Sequence, residues 1–224
     1  MISRTRPNCP LSGWILDQYT ILDNPFKMPD WFETICQTMI ARLQNELDPG
    51  LIYHNVFHTT DVMEQAASIA TSEGVKPGHE LNLLKTAAAY HDSGFLFTYK
   101  NHEEKGCEIA RNDLSPRLTD KDIETVCGMI MATKIPQSPK NLLEEIICDA
   151  DLDYLGRDDF EPISKNLYKE FFDFQIIRKE DNWDRIQINF FELHHYFTQS
   201  SLSKRNPKKQ EHLRLLKERS DRQL

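Results

Sequence analysis

Three short segments concentrate the side chains that can do chemistry. In Tyr53-His54-Asn55-Val56-Phe57-His58 two imidazoles stand four residues apart. On a helix that spacing puts both on one face, suited to gripping one ion or one substrate. The segment is not the His-Glu-x-x-His of zinc proteases, because Asn55 stands where that motif needs a carboxylate base. The second segment, His91-Asp92, closes the apolar run Ala87-Ala88-Ala89-Tyr90. An imidazole and a carboxylate at one helix mouth are good ligands for a borderline or hard divalent cation. The third is Ile146-Ile147-Cys148-Asp149-Ala150-Asp151-Leu152-Asp153, where an apolar stretch delivers carboxylates at alternate positions. Carboxylates beside buried apolar groups are costly unless something positive meets them. A cation is the simplest such partner, and His58, His91, Asp92 and Asp151 would offer it two nitrogens and two oxygens. By contrast, His79, His194, His195 and His212 read as caps or core residues, and Asp61, Asp153 and Asp158 as caps or surface charges.

The elements that must carry these groups are helices. Phe32, Ile35, Cys36, Met39, Leu43 and Leu47 recur at three- and four-residue steps after Pro29-Asp30, and Asp48-Pro49-Gly50 stops that run. A second amphipathic stretch spans about Thr59 to Ala70, ending near Gly74, and a third follows Pro77-Gly78 with Leu81, Leu84, Ala88 and His91 in helical register. Thr119-Asp120 caps a helix containing Ile123, Val126 and Ile130, and Ser138-Pro139 is expected to open another with Leu142, Leu143, Ile146 and Ile147. Helical patterns also cover about 160–177, 183–197 and 208–219. Sustained period-two alternation is missing, so the expected class is all-α. The expected organisation is an N-terminal extension over 1–28, a helical core over 29–200, and a basic C-terminal helix over 201–224 that packs on the core or extends from it.

Composition narrows the function classes. The chain has 224 residues, a formal charge of −8 and 39% hydrophobic residues, which suits a core-forming soluble domain. The longest apolar runs fall far short of the roughly 20 residues needed to span a bilayer, and no secretory h-region follows Met1-Ile2-Ser3-Arg4. Five scattered cysteines without a Cys-x-x-Cys pair argue against a disulfide framework and a thiolate zinc site, so a reducing cytoplasm is expected. Residues 144–161 carry a net −7 and residues 204–222 a net +5. The basic tail reads as a solvated helix face, and without a long basic stripe general nucleic-acid binding is not expected.

At these residues the chain resembles the HD-domain superfamily of metal-dependent phosphohydrolases. The superfamily pattern of a His, a His-Asp pair and a distant Asp is matched by His58, His91-Asp92 and Asp151, over roughly residues 50–160. The resemblance implies a single-domain helical HD bundle and one or two divalent ions (Mn, Mg, Zn, Fe, Ni or Co). It also implies hydrolysis of a phosphate ester by a phosphodiesterase or phosphomonoesterase, on a small phosphorylated substrate such as a nucleotide or cyclic-nucleotide phosphodiester. The segment Tyr53-His54-Asn55-x-x-His58 looks like that of cyclic-nucleotide phosphodiesterases, which makes His54 a general acid and His58 a ligand. Asp92 would be the residue able to bridge two ions. Asp149 competes with Asp151 for the last ligand position, the Ala-Asp context favouring Asp151. Asn101-His102-x-x-x-Gly106 is similar to the His-x-x-x-Gly of relatives with extra ligands, making His102 a candidate for a second ion. Lys100, Lys105 and Lys134 are candidates to hold remaining phosphate oxygens. A nucleotidase, an alarmone pyrophosphohydrolase and a non-catalytic nucleotide-binding sensor are the alternatives.

Overall fold

The computed structural model describes residues 31–222; the expected N-terminal extension over 1–28 lies outside the described residues. Ten α-helices and two 3₁₀ turns are present, with no strand among the described residues. They are α1 (Trp31–Glu46), α2 (Val56–Ser72), α3 (His79–Tyr90), α4 (His102–Leu114), α5 (Asp120–Ala132), α6 (Leu142–Asp151), α7 (Phe160–Asp173), α8 (Trp183–Leu193), α9 (Gln199–Lys204) and α10 (Asn206–Asp221). The 3₁₀ turns, Ser93–Leu96 and Asp153–Gly156, follow α3 and α6.

The buried residues form two clusters, and the seam between them is where function must be sought. The larger joins the inner faces of α1 to α6, with Met39, Leu43, Val62, Leu84, Ala88, Val126, Ile130, Ile146 and Ile147 among its members. The smaller gathers Leu152, Tyr154, Leu155, Phe160, Ile188, Phe191 and Leu216, and it also takes in Tyr53 from the connection before α2. That connection and the turn after α6 therefore lie where the two clusters meet.

Local chemistry sets the helix ends. Asn55 is the N-cap of α2, its side-chain oxygen accepting from the backbone N–H of Phe57 (2.8 Å) and His58 (3.3 Å). Thr119 caps α5 by accepting from the Asp122 N–H. The helix expected to open at Ser138-Pro139 starts instead at Leu142. Asn141 caps it there, accepting from the Leu143 and Glu144 N–H groups, while the Glu144 carboxylate reaches back to the Lys140 N–H at 2.7 Å. A reciprocal cap of this kind satisfies more orphan donors than a proline start. The sequence pattern also passed over α4, whose apolar positions are sparse (Cys107, Ile109, Ala110, Leu114) although all are buried. The pattern over 183–197 breaks at His194, whose extended backbone ends α8.

The basic tail is not simply solvated. α10 packs on α8, burying Leu216 and Lys209. Arg219 forms a two-pronged pair with Asp184 and reaches Glu161, Lys217 meets Glu192, and Lys208 meets Asp158. The +5 tail is thus partly neutralised by acids of α7, α8 and the loop before α7.

Candidate metal centre

Three helix ends converge at the seam. His58 lies in the first turn of α2, His91 is the C-cap of α3 with Asp92 next to it, and Asp151 is the last residue of α6. The C-terminal ends of α3 and α6 carry partial negative charge, which adds to the carboxylates in favouring a cation. The His58 and His91 Nε2 atoms stand 3.4 Å apart. Asp92 Oδ2 lies 3.5 Å from the first and 3.3 Å from the second, and Asp151 Oδ1 lies 3.1 Å and 3.7 Å from them. Donor atoms of His58, His91 and Asp92 all fall within 4.8 Å of one another.

Two observations show that this donor set fits a divalent cation. Asp92 Oδ2 is buried yet accepts no hydrogen bond among the described residues, a costly state for a carboxylate oxygen without a positive partner. His91 Nδ1 donates to the Ala88 carbonyl oxygen at 2.8 Å, which fixes the ring and leaves Nε2 as the lone-pair nitrogen facing the cluster. The field of the set also attracts positive charge. Burial works against protonation of His91, but Asp92 and Asp151 outweigh it and push the ring up to about 9. Burial would raise the Asp92 carboxyl, and the facing imidazoles of His91, His54 and His58 hold it well below the usual carboxylate range instead.

Asp92 looks both ways. Its other oxygen, Oδ1, lies 3.6 Å from His102 Nε2, and that nitrogen is also 3.6 Å from Glu103 Oε1. The approach depends on Gly94: a Cβ there would fall 1.9 Å from the His102 carbonyl oxygen. Only glycine lets the turn after α3 press this closely on the start of α4. The His102 ring stacks on Phe95, centroids 4.0 Å apart.

His54 stands beside the set rather than in it, lining the cleft that opens from it. Its Nδ1 bonds to Glu170 of α7, a carboxylate with no exposed surface. Glu170 also accepts from the N–H groups of Tyr53 (2.7 Å) and His54 (3.0 Å) and from the Tyr99 hydroxyl (3.0 Å). Burial lowers the His54 pKa, but the Glu170 hydrogen bond and the fields of Asp92, Glu170 and Asp151 more than reverse it, so the ring is raised above its ordinary value. Sequence spacing does not reveal Glu170, which lies 116 residues from His54. The available signal is its place near the inward stripe of α7 formed by Phe160, Ser164 and Leu167, where a carboxylate needs a partner.

Other candidates stand elsewhere. Asp149 is fully buried and faces the opposite way, accepting from the N–H groups of Phe197 (2.9 Å) and Thr198 (2.8 Å) and from the Thr198 hydroxyl (2.7 Å). Two residues along a helix turn a side chain by about 200°, so Asp149 and Asp151 cannot share one site. Lys105 pairs with Glu108 on the outer face of α4 at 2.6 Å, Lys134 pairs with Glu104, and Lys100 is exposed on a turn. None of the three lines the cleft. Asp153 is not a surface charge: it is buried against Arg205 (2.7 Å) and Arg157 (3.5 Å), and Arg157 also holds Asp61. This network ties the turn after α6 to α2 and to the segment entering α10.

Residues 56–153 match the family model described as HD domain. Among solved structures, the chain is similar to a protein described as a predicted HD superfamily hydrolase from an uncultured Thermotogales bacterium. That match has 20% identity and a TM-score of 0.54, covering 86% of this chain and 92% of that one. It is also similar to a protein from Lactobacillus plantarum, with 18% identity, a TM-score of 0.60, and 84% and 98% covered. At such identities the likeness is one of fold. No curated protein matches the sequence.

Proposed function

We propose, from the match of residues 56–153 to the HD-domain family model, that this chain is a metal-dependent phosphohydrolase acting on a phosphate ester, with nucleotide esters as the substrate class. The observation that carries this reading is the pair of Nε2 atoms 3.4 Å apart, facing a buried carboxylate oxygen that accepts no hydrogen bond among the described residues. His58, His91, Asp92 and Asp151 would hold a first divalent cation, and Asp92 with His102 and Glu103 would hold a second. Bound divalent cations supply an activated water and neutralise phosphoryl charge.

His54 is the general acid. Glu170 favours the protonated ring, and with Nδ1 committed to Glu170 the remaining nitrogen, Nε2, gives its proton to the departing ester oxygen. Glu170 is a positioning residue: it fixes the ring and compensates the imidazolium charge. The resemblance of Tyr53-His54-Asn55-x-x-His58 to cyclic-nucleotide enzymes supports a nucleotide substrate.

The test is cation content together with hydrolysis of bis-p-nitrophenyl phosphate, p-nitrophenyl phosphate and a panel of nucleotides, with and without Mn²⁺. Two cations per chain, one in His102→Ala and none in His91→Ala, is the expected pattern. Full activity and cation content in both His91→Ala and Asp92→Ala would refute the reading.

A further inference from the structure

Away from the donor set, the cleft runs inward between α7 and α8, and its cavity volume is about 180 Å³. Its inner wall is built from Leu155, Phe160, Leu167, Phe171, Trp183 and Phe190. The polar groups on that wall already satisfy one another. The Ser164 hydroxyl donates to Gln187 Oε1 at 2.5 Å, the Trp183 indole N–H donates to the Ser164 oxygen at 3.4 Å, and the Gln187 amide donates to Asp184 at 3.4 Å. Asp184 is in turn neutralised by Arg219.

The charge of the cleft is equally one-sided. Its acidic residues and histidines are His54, Asp92, His102, Glu103 and Asp151, all belonging to the candidate centre, and among the described residues lining it none is Lys or Arg. Bound cations can offset one phosphoryl group. A second or third would have to lie against aromatic rings or carboxylates with no counter-charge, and an unpaired buried charge is strongly disfavoured. A flat uncharged ring would instead bury apolar surface on both sides.

Resting on the hydrolase reading above, we infer that the substrate is an ester of a single phosphoryl group. Its organic part ends in an uncharged, flat ring system of about one or two fused rings, as a nucleobase does, and compounds bearing a pyrophosphate or triphosphate chain are excluded. This separates the two nucleotide-type alternatives: a monophosphoryl ester fits the walls, and an alarmone-type pyrophosphate does not.

The test compares 2-naphthylmethyl phosphate with glycerol 1-phosphate, two primary alkyl esters of similar intrinsic reactivity, and with inorganic triphosphate, on the Mn²⁺-loaded full chain. The expected kcat/KM for the naphthyl ester exceeds that for glycerol 1-phosphate by at least about 100-fold, since burying the rings removes a large apolar area from water. Triphosphate is expected to be cleaved more slowly still. In Leu167→Lys the naphthyl ester should lose about tenfold or more while cation content stays unchanged. Equal turnover of glycerol 1-phosphate or of triphosphate would overturn the inference. Binding of 2-naphthol to the cation-free chain, followed by calorimetry, reads the pocket without catalysis or a variant. If no ester is cleaved, the hydrolase reading falls, and saturable 2-naphthol binding then still upholds the apolar pocket while its absence overturns it.

Discussion

Glu170→Gln keeps the shape of the side chain and removes its charge, so it isolates what that carboxylate does for His54. In the wild-type chain four donors converge on two carboxylate oxygens: the Tyr53 and His54 N–H groups on Oε2, and His54 Nδ1 and the Tyr99 hydroxyl on Oε1. An amide accepts at one oxygen only, so whichever way it turns, two donors face an NH₂ group. With the amide oxygen kept on the two backbone N–H groups and the Tyr99 hydroxyl free to rotate away, one donor is left, so the loss of stability should be about 1–3 kcal/mol. The charge-assisted bond to His54 becomes at best a neutral one, a difference of roughly 1–1.5 kcal/mol. With the lost attraction of a buried negative charge added, the His54 pKa should fall. Because His54 is raised in the folded state, its stabilising contribution is present below its unfolded value near 6.5 and is lost as pH rises through the folded pKa. Glu170 is lowered against its burial by the His54 bond, so its contribution is present above its unfolded value and is lost as pH falls through the folded pKa. The pair therefore stabilises the fold most between the two unfolded values, falling off on either side towards the folded ones, and the variant should lose that plateau. The assay is a proton–carbon NMR titration of the His54 ring in the cation-loaded protein, beside the pH profile of kcat. The alkaline limb should move to lower pH, with turnover on that limb, above both pKa values, falling about tenfold and cation content unchanged. An unshifted His54 titration and an unshifted alkaline limb would refute the positioning role, whatever happened to stability.

Asp151→Asn should lower cation affinity at least tenfold, measured by equilibrium dialysis, and abolish turnover. Asp149→Asn should instead cost about 1–3 kcal/mol in urea unfolding, because it weakens the contacts to Phe197 and Thr198 while the folded variant keeps its cation. Gly94→Ala should destabilise the chain by more than about 3 kcal/mol, since the new methyl group would meet backbone at 1.9 Å and neither segment can yield cheaply. Where that variant still folds, its second cation should be lost first, through displacement of His102. Cation binding should weaken steeply on acidification, because ligand imidazoles must release their protons and the cation-free chain raises His91 to about 9. A pH-independent affinity between pH 6 and 9 would contradict His91 as a ligand.

Residue types and spacing alone were enough to identify an all-α chain and the segments around His58, His91-Asp92 and Asp151. Helical periodicity and donor chemistry are local properties, visible within ten or twenty residues. The apolar runs before His91-Asp92 and before Asp151 also marked the helix ends that would deliver them. What local pattern could not decide was direction. Asp149 and Asp151 sit in the same acidic run, and only the packing of α6 turns one towards Thr198 and the other towards His58. Glu170 was invisible for the same reason, since its partnership with His54 spans 116 residues and exists only because α7 folds back over the connection before α2. The lysines near the motif looked suited to phosphate, but α4 and the segment after α5 spend Lys105 and Lys134 on neighbouring glutamates. The neutral aromatic wall is assembled from α7, α8 and the turn after α6, whose individual patterns read only as amphipathic helices. Donor identity is thus written along the chain, whereas the facing of each donor and the charge of the space before it arise from contacts between distant helices.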